Sequence, residues 1–316
     1  MGASMHMQHT YVFNVSSTQA RDIANLFYFD LALSAFIFLL VAGLVAYCCA
    51  RFRCRPGAGD PYQNHGSTKL ETLWVIIPGL ILGVFLVFTA LAMHSVDPPV
   101  GTRQPDVTVT AHQWWWEYHY SKSGVVTANE LHMVTGANWL LGVESADVDH
   151  SFWVPDLGPK KDAIPGMHNH LMLQPTRSGT YLGTCTEYCG MEHALMGIRV
   201  IVQPRADFDK WVQSQLAAPG KPVGAAAQQG ERLFVDHTCM NCHRIAGTAA
   251  NATVGPDLTH VADRETLGAG VLTNTVDNLT RWIEDPQKYK PGCNMPTMRL
   301  SQAQAYDIAV YLEGLK

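Results

Sequence analysis

The sequence lacks an excess of positive charge, an internal repeat and the pattern of a cleavable signal peptide. Its 22 lysine and arginine residues are outnumbered by 27 aspartate and glutamate residues, and the net charge of −5 argues against a nucleic-acid partner. The first twenty or so residues do not combine a basic segment, an apolar segment and a small-residue cleavage site. Either a signal peptide has already been removed or the first apolar segment serves as the export signal.

Charged residues are also scarce in two long apolar stretches. Residues 26–50 contain a single charge, Asp30, and residues 73–93 contain none. Because a helix needs about 20 apolar residues to cross the hydrocarbon core of a bilayer, we predict two membrane-spanning helices. Pro78 lies one turn into the second stretch and is expected to bend that helix.

The short loop between the two predicted spans carries most of the nearby positive charge. Arg51, Arg53, Arg55 and Lys69 all lie close to the membrane ends of the spans. Loops of this kind stay in the cytoplasm under the positive-inside rule. We therefore expect both termini, and everything after Met93, to lie on the extracytoplasmic side.

The extracytoplasmic part divides into two regions by composition. Alternating apolar segments punctuated by glycine, proline and asparagine predict β structure through residues 105–203. Residues 217–230 are rich in alanine, proline and glycine, which predicts a flexible linker with a helix starting at its end. Short helices separated by loops follow to the C-terminus. We assign a tail and membrane hairpin to residues 1–97, a β domain to 98–204, a linker to 205–226 and a helical domain to 227–316.

A cluster of soft metal ligands lies in the second half of the predicted β domain. Cys185, Cys189, His193 and Met196 occupy one short segment. A Cys185–Cys189 disulfide is the simplest interpretation in an oxidising compartment. Thiolate, imidazole and thioether together, however, are the ligands that copper prefers. A mononuclear blue-copper site would leave one cysteine unused, whereas two thiolates can bridge two copper ions that are each capped by a histidine. An earlier strand must supply the second histidine, and His150 is available there.

These segments resemble a known family. "DVDHSFWVPDLGPKKDAIPG" followed by "CTEYCGMEHALM" is similar to the binuclear copper (Cu-A) domain of cytochrome c oxidase subunit II. "HQWWWEY" resembles the aromatic stretch of that family, and "KLETLWVIIPG" resembles the start of its second transmembrane helix. The likeness covers about residues 20–203 and implies a cupredoxin-like Greek-key β-barrel. By this resemblance the copper ligands are His150, Cys185, Glu187 (through its backbone carbonyl), Cys189, His193 and Met196. None is missing, which excludes the quinol-oxidase relatives that lost copper.

The same resemblance implies roles for further side chains. The Glu187 carboxylate would help to bind a magnesium ion at the contact with oxidase subunit I. Trp114 takes the position at which electrons enter the copper centre of the family, with core packing as the alternative, whereas Trp115 and Trp116 are expected to be core residues. Glu71 aligns with the entrance of the family's proton path, and a capping or surface carboxylate is the alternative.

A second cluster, Cys239, Cys242 and His243, has the C-x-x-C-H spacing of covalent haem c attachment. Two thioether bonds would hold the porphyrin, and His243 would bind the iron. A redox dithiol beside an idle histidine is the alternative, but the extracytoplasmic position and the methionines downstream favour haem. The sequence from "GPDLTHVADR" onward is similar to small class I cytochromes c, which implies Met295 as the sixth ligand and Met298 as the alternative. Histidine–methionine ligation raises the reduction potential, as electron transfer requires.

The remaining cysteines and one histidine pair are expected to bind no cofactor. The cysteines would be buried packing residues or free thiols, and the histidines would lie on the surface. They are Cys48, Cys49, Cys54, Cys293, His168 and His170.

Together these features predict a multidomain membrane protein with a two-helix transmembrane hairpin, a cupredoxin-like Greek-key β-barrel and a small all-α cytochrome c domain. The resemblance implies the subunit through which electrons enter a proton-pumping haem–copper oxidase. Electrons would pass from a soluble or membrane-bound cytochrome, or from a quinol-oxidising complex, to haem c, then to Cu-A, and then to haem in subunit I. The expected location is a bacterial plasma membrane, beside subunits I and III.

The chain lacks the histidine-rich, many-helix core that would hold an oxygen-reducing site. Two other functions compete with this interpretation. One is the corresponding subunit of a nitric oxide reductase that uses the same copper site. The other is a metallochaperone or copper-storage module, against which the haem motif and Glu71 both argue because storage requires neither.

Overall fold

The computed structural model describes residues 13–53, 56–57, 59, 62–63, 65–99 and 101–316. Cys54 and Arg55, which enter the predictions above, lie outside these described residues. The chain divides into two compact units, one formed by residues 21–99 and the other by the rest of the chain.

The first unit is a pair of long helices, α1 (Thr18–Arg51) and α2 (Thr68–Val96). Each is long and apolar enough to cross a bilayer, and each extends beyond the span predicted from the sequence. The helices form an antiparallel hairpin, because Ser95 near the end of α2 donates to the Asp22 carboxylate near the start of α1. The ring of Phe29 lies 5.4 Å from the ring of Phe88. Pro78 lies inside α2, which continues on both sides of it.

Two five-stranded sheets form the β domain, in the orders β3-β2-β1-β5-β8 and β4-β10-β9-β6-β7. Strands distant in sequence are neighbours in both sheets, as cross-connected Greek-key topology requires. The strands are β1 (Val107–His112), β2 (Trp115–Tyr120), β3 (Val126–Ala128), β4 (Glu130–Val134), β5 (Trp139–Ser145), β6 (His150–Trp153), β7 (Lys161–Ala163), β8 (Asn169–Leu173), β9 (Gly179–Cys185) and β10 (Gly197–Gln203).

Alternate residues of these strands build the core between the sheets. Val107 and Val109 of β1 belong to the same buried cluster as Val200 and Val202 of β10, while the residues between them along each strand are more exposed. This alternation is the period of a strand with one buried face. The predicted β-rich domain is therefore confirmed as a two-sheet structure with a single apolar core.

The segment predicted as a linker begins with a helix, α3 (Arg205–Leu216). Phe208 inserts into the core of the β domain, and Trp211 stacks on His132 with ring centroids 4.0 Å apart. These residues, with Val212, follow the i, i+3, i+4 spacing of a helix that buries one face. Only residues 217–224 of the predicted linker lie outside α3 and the next helix.

The helical domain contains α4 (Ala225–Asp236), α5 (Val276–Glu284) and α6 (Gln302–Glu313). Gly230 lets α4 and α6 cross closely, because a Cβ atom there would lie 1.9 Å from the Asp307 carbonyl oxygen. Ser301 and Gln304 form a capping box at the start of α6. A hairpin of two short strands, β11 (Thr266–Leu267) and β12 (Leu272–Thr273), was not predicted.

Candidate metal and haem sites

Two strands and one loop bring the predicted copper ligands together. Cys185 ends β9 and pairs with Phe152 of the antiparallel neighbour β6. His150 begins β6, two positions from Phe152 on the same face of the strand, and its ring contacts the Cys185 sulfur. Cys189 comes from the following loop, and the ligand atoms of these three residues lie within 4.8 Å of one another. All three are buried. Gly183 allows this close approach, because a side chain there would strike the Trp153 carbonyl.

The sulfur atoms of Cys185 and Cys189 are 3.8 Å apart, far beyond the roughly 2.05 Å of a disulfide. The disulfide interpretation is therefore wrong for this structure, in which both cysteines are free. The Cys185 sulfur lies 3.8 Å from His150 Nδ1 and 3.2 Å from the Glu187 carbonyl oxygen. The Cys189 sulfur lies 3.6 Å from His193 Nδ1 and 3.9 Å from Met196 Sδ. The structure thus brings all six predicted ligands around the two sulfurs.

Electrostatics favour the thiolate of Cys185 and oppose that of Cys189. Burial alone lowers the pKa of His150, but hydrogen bonds with Asp147 and Cys185 raise it to about 9. Burial alone raises the pKa of the Cys185 thiol, but the hydrogen bond with His150 is the main effect that lowers it to about 7. Burial and the neighbouring Cys185 raise the pKa of Cys189 to about 12. Since the thiolate is the metal-binding form of cysteine, the donor set fits a soft cation such as copper.

Asp147 is a supporting residue that the sequence analysis missed. Its Oδ1 atom lies 2.8 Å from His150 Nε2, which leaves Nδ1 of the same ring to face the Cys185 sulfur. A carboxylate in this position orients an imidazole ligand and makes it more basic. The "DVDH" segment contains two aspartates, and spacing alone does not distinguish Asp147 from Asp149.

The three tryptophans differ in their surroundings. Trp114 donates from Nε1 to the Cys189 carbonyl at 3.0 Å, so it directly contacts the backbone of a predicted ligand. Trp115 stacks on His112 with ring centroids 4.2 Å apart. Trp116 is fully buried against Phe152. Trp114 is also buried in the same core cluster as Trp116, so its role as the point of electron entry stays a prediction.

The two predicted acidic site residues are both exposed. Glu187 is exposed, while its backbone carbonyl oxygen contacts the Cys185 sulfur. Glu71 lies in the first turn of α2, where a carboxylate interacts favourably with the helix dipole. This position is compatible with the alternative of a surface carboxylate, and the role of Glu71 in a proton path stays a prediction.

The C-x-x-C-H motif lies in a tight turn directly after α4. Cys239 and Cys242 are both free and half-buried. His243 Nδ1 lies 2.8 Å from the Pro256 carbonyl oxygen, which fixes the proton on Nδ1 and leaves Nε2 free to bind a metal. A side chain at Gly255 would lie 2.6 Å from the His243 ring, so this glycine is required beside it. The arrangement fits a haem with one histidine ligand.

The two candidate sixth ligands lie in different environments. Met298 packs against the core of the helical domain. Met295 lies in the preceding loop, where Gln287 Nε2 donates to its carbonyl oxygen at 2.8 Å. The same Gln287 amide contacts the carbonyl oxygen and sulfur of Cys293. Met295 thus lies on an anchored loop and does not pack in the core, which favours it over Met298 as the sixth ligand. His168 and His170 are both exposed.

Three family models match the chain. One is described as "Cytochrome C oxidase subunit II, periplasmic domain" and matches residues 126–203. The corresponding transmembrane-domain model matches residues 4–93. A model described as "Cytochrome c" matches residues 227–316. The matches fall on the hairpin, on the β domain from β3 onward and on the helical domain.

Curated relatives match over most of their length. Cytochrome c oxidase subunit 2 of Alkalihalophilus pseudofirmus is 34% identical, over 94% of this chain and 88% of the relative. The subunit 2 of Bacillus sp. strain PS3 is 33% identical, over 84% and 80% respectively. Among solved structures, the periplasmic domain of subunit II (CoxB) of Bradyrhizobium japonicum is 28% identical, with a TM-score of 0.35 over 37% of this chain and 96% of that one.

Proposed function

The chain belongs to the cytochrome c oxidase subunit II family, carries a cytochrome c domain and has an electron-transfer role. From that premise we propose that electrons enter a haem–copper terminal oxidase through this subunit. They pass from an external donor to haem c in the helical domain, then to Cu-A in the β domain, and then to haem in subunit I. Oxygen reduction and proton pumping take place in that partner subunit.

The copper site rests on the convergence of soft ligands around two unlinked sulfurs. A binuclear copper centre there supplies a one-electron relay. The centre would be held by His150, Cys185, the Glu187 carbonyl, Cys189, His193 and Met196. The sulfurs of Cys185 and Cys189 lie 3.8 Å apart, and both would hold the centre as thiolates. Asp147 holds the His150 ring in its binding orientation, and the buried pocket excludes water from both sulfurs.

The haem site rests on the C-x-x-C-H turn and on His243. Covalently bound haem c supplies a second one-electron relay. Cys239 and Cys242 would form the thioether bonds, and His243 Nε2 would bind the iron because Nδ1 is engaged with Pro256. Met295 would complete the coordination from its anchored loop.

The proposal also assigns roles to Glu187, Glu71 and Trp114. The exposed Glu187 carboxylate would share a magnesium ion with subunit I, and exposed Glu71 would lie at the entrance of a proton path. Trp114 would pass electrons to the copper centre, a role supported by its hydrogen bond to the Cys189 carbonyl. The donor would be a soluble or membrane-bound cytochrome or a quinol-oxidising complex.

The proposed setting is a bacterial plasma membrane, with subunits I and III beside the hairpin. Both termini and both metal-binding domains would face the extracytoplasmic side. The support for this orientation is the basic loop between α1 and α2. Accessibility of the exposed Val223 to an added protease in right-side-out and inverted vesicles would test it.

The observation that carries the copper and haem proposal is a complete ligand set for each relay within one chain. We expect the purified oxidase to contain two Cu-A coppers and one covalently bound haem per copy of this subunit. Metal analysis of the subunit separated from its partners would measure the copper content. One copper per chain, or haem that acidic acetone extracts from this subunit, would contradict the proposal.

A further inference from the structure

A buried carboxylate of the β domain is bound by the helical domain. Glu130, the first residue of β4, is 1% exposed. It accepts hydrogen bonds from the backbone N–H groups of Glu265 and Thr266 at 3.0 and 2.9 Å, and from the Thr266 hydroxyl at 2.8 Å. Among the described residues, the hydrogen bonds of this carboxylate all come from the helical domain. Arg199 of the β domain adds an ion pair to Glu265.

A buried ammonium group of the helical domain makes the reciprocal contact. Lys290 is 3% exposed, and its Nζ donates to the Trp114 carbonyl of the β domain at 2.7 Å and to the Gly268 carbonyl at 3.2 Å. Burial lowers the pKa of Lys290 to about 8, opposed chiefly by the nearby carboxylate of Glu192. A buried charge without partners is strongly unfavourable. Each domain therefore contributes one charge that the other domain satisfies.

The loop that carries Met295 lies against the copper-site backbone at the same interface. Asn294 Nδ2 donates to the Gln113 carbonyl at 2.8 Å, and Gln113 Nε2 donates to the Cys189 carbonyl at 2.7 Å. The side chain of Met191, in the copper loop, packs directly against Gly292. Asn294, which precedes Met295, is thus connected to the backbone of Cys189 by two hydrogen bonds through Gln113.

We infer that the helical domain is docked in a fixed position on the β domain by the reciprocal anchors Glu130 and Lys290, and that Asn294 positions the Met295 loop for electron transfer through Gln113 to Cys189. The electron-transfer part rests on the proposed function, whereas the docking part does not. Residues 217–224 then connect two domains that are already bound. The transfer rate is set by this interface and not by the effective concentration of about millimolar that a flexible tether would provide.

Cleavage of the connecting segment tests the docking without reference to activity. A protease recognition sequence inserted between Val223 and Gly224, where Val223 is 87% exposed, would be cut in the purified oxidase. We expect the cut helical domain, followed by its haem absorbance, to remain with the oxidase through size-exclusion chromatography. Its release from the unsubstituted complex would overturn the docking.

Charge-matched substitutions test the two anchors. Glu130→Gln and Lys290→Met should each speed dissociation of the cut domain by at least about tenfold, because each leaves buried polar groups poorly paired. Glu231→Gln and Lys288→Met change the same charges at exposed positions and should leave dissociation unchanged. Equal dissociation in anchor and control variants would overturn the assignment of Glu130 and Lys290. Unchanged Cu-A and haem spectra before cleavage would show that each variant is folded.

Asn294 supplies a second test that does not depend on the anchors. Its side chain is exposed, so Asn294→Leu should leave folding and retention of the cut domain intact. We expect haem c to Cu-A transfer, measured by flash photolysis, to slow several-fold while both reduction potentials stay at their unsubstituted values. An unchanged rate would overturn the positioning role of Asn294. If the domain stays docked but no haem c to Cu-A transfer occurs in any variant, the proposed relay fails and the docking stands.

Discussion

Replacement of Gly230 by alanine has two opposite effects on stability, a gain in helix propensity and a steric clash between α4 and α6. Alanine has a helix propensity about 1 kcal/mol better than glycine, which would stabilise α4. The new Cβ atom, however, would lie 1.9 Å from the Asp307 carbonyl oxygen and 2.9 Å from Tyr311 Cβ of α6. The carbonyl is backbone, so α4 and α6 must separate, and overpacking of this kind costs about 1–3 kcal/mol or more. Separation also weakens the edge-to-face contact of Phe234 with Tyr311.

Because the clash is with backbone, we expect a cost near the top of that range, so that Gly230→Ala lowers the free energy of unfolding of the helical domain by about 2 kcal/mol after the gain in helix propensity. Urea denaturation of the purified oxidase, followed by the absorbance of haem c, would measure the change. Gln228→Ala is the matched control, because Gln228 is exposed on the same helix and its replacement should change stability by less than about 0.5 kcal/mol. A stabilised Gly230→Ala variant would show that the helices do not cross as closely as described.

Two further substitutions follow from the geometry of the copper site, and a third follows from a buried histidine outside it. Cys185→Ser should remove the electron-sharing copper pair, leaving at most a mononuclear site, and an unchanged paramagnetic spectrum would refute a bridging role. Met196→Leu should keep both coppers but shift their reduction potential, because a thioether is a weak axial ligand; loss of copper would contradict this. Burial lowers the pKa of His132 to about 3, so this ring opposes folding as pH falls from about 6.5 towards 3, where only the unfolded chain is protonated. His132→Phe should keep the stacking on Trp211 and reduce the loss of thermal stability in acid. The control His119→Phe, at an exposed position, should leave that loss unchanged. Equal acid sensitivity of the two variants would contradict the effect attributed to His132.

Regular spacing made the ligand clusters and the apolar helices predictable. The C-x-x-C-H motif and the Cys185–Met196 segment depend on local sequence, and the structure brings the second group together with His150. Residues 205–216 also carried a local signal, since Phe208, Trp211 and Val212 follow helical spacing. Because the residues that follow are rich in proline and glycine, the predicted linker wrongly included the segment that forms α3.

The interface between the β domain and the helical domain was not predictable in the same way. Nothing in the sequence around Glu130 or Lys290 separates a buried charge from a solvated one, because burial depends on how two domains pack. Asn294 and Gln113 are 181 positions apart, and no spacing rule joins them. The role of Asp147 was partly predictable. It lies only three residues before His150, but Asp149 lies in the same segment, and the sequence does not distinguish the two.

The order of electron arrival tests the central claim most directly. Reduced donor would be mixed with anaerobic, oxidised oxidase in a stopped-flow spectrophotometer while the haem c and Cu-A bands are followed. We expect haem c to be reduced before Cu-A, and Cu-A to remain oxidised when Cys239→Ser and Cys242→Ser remove the haem attachment. Reduction of Cu-A by the donor at the full rate in that double variant would contradict two relays in series. In that case electrons would reach the copper site without passing through the helical domain.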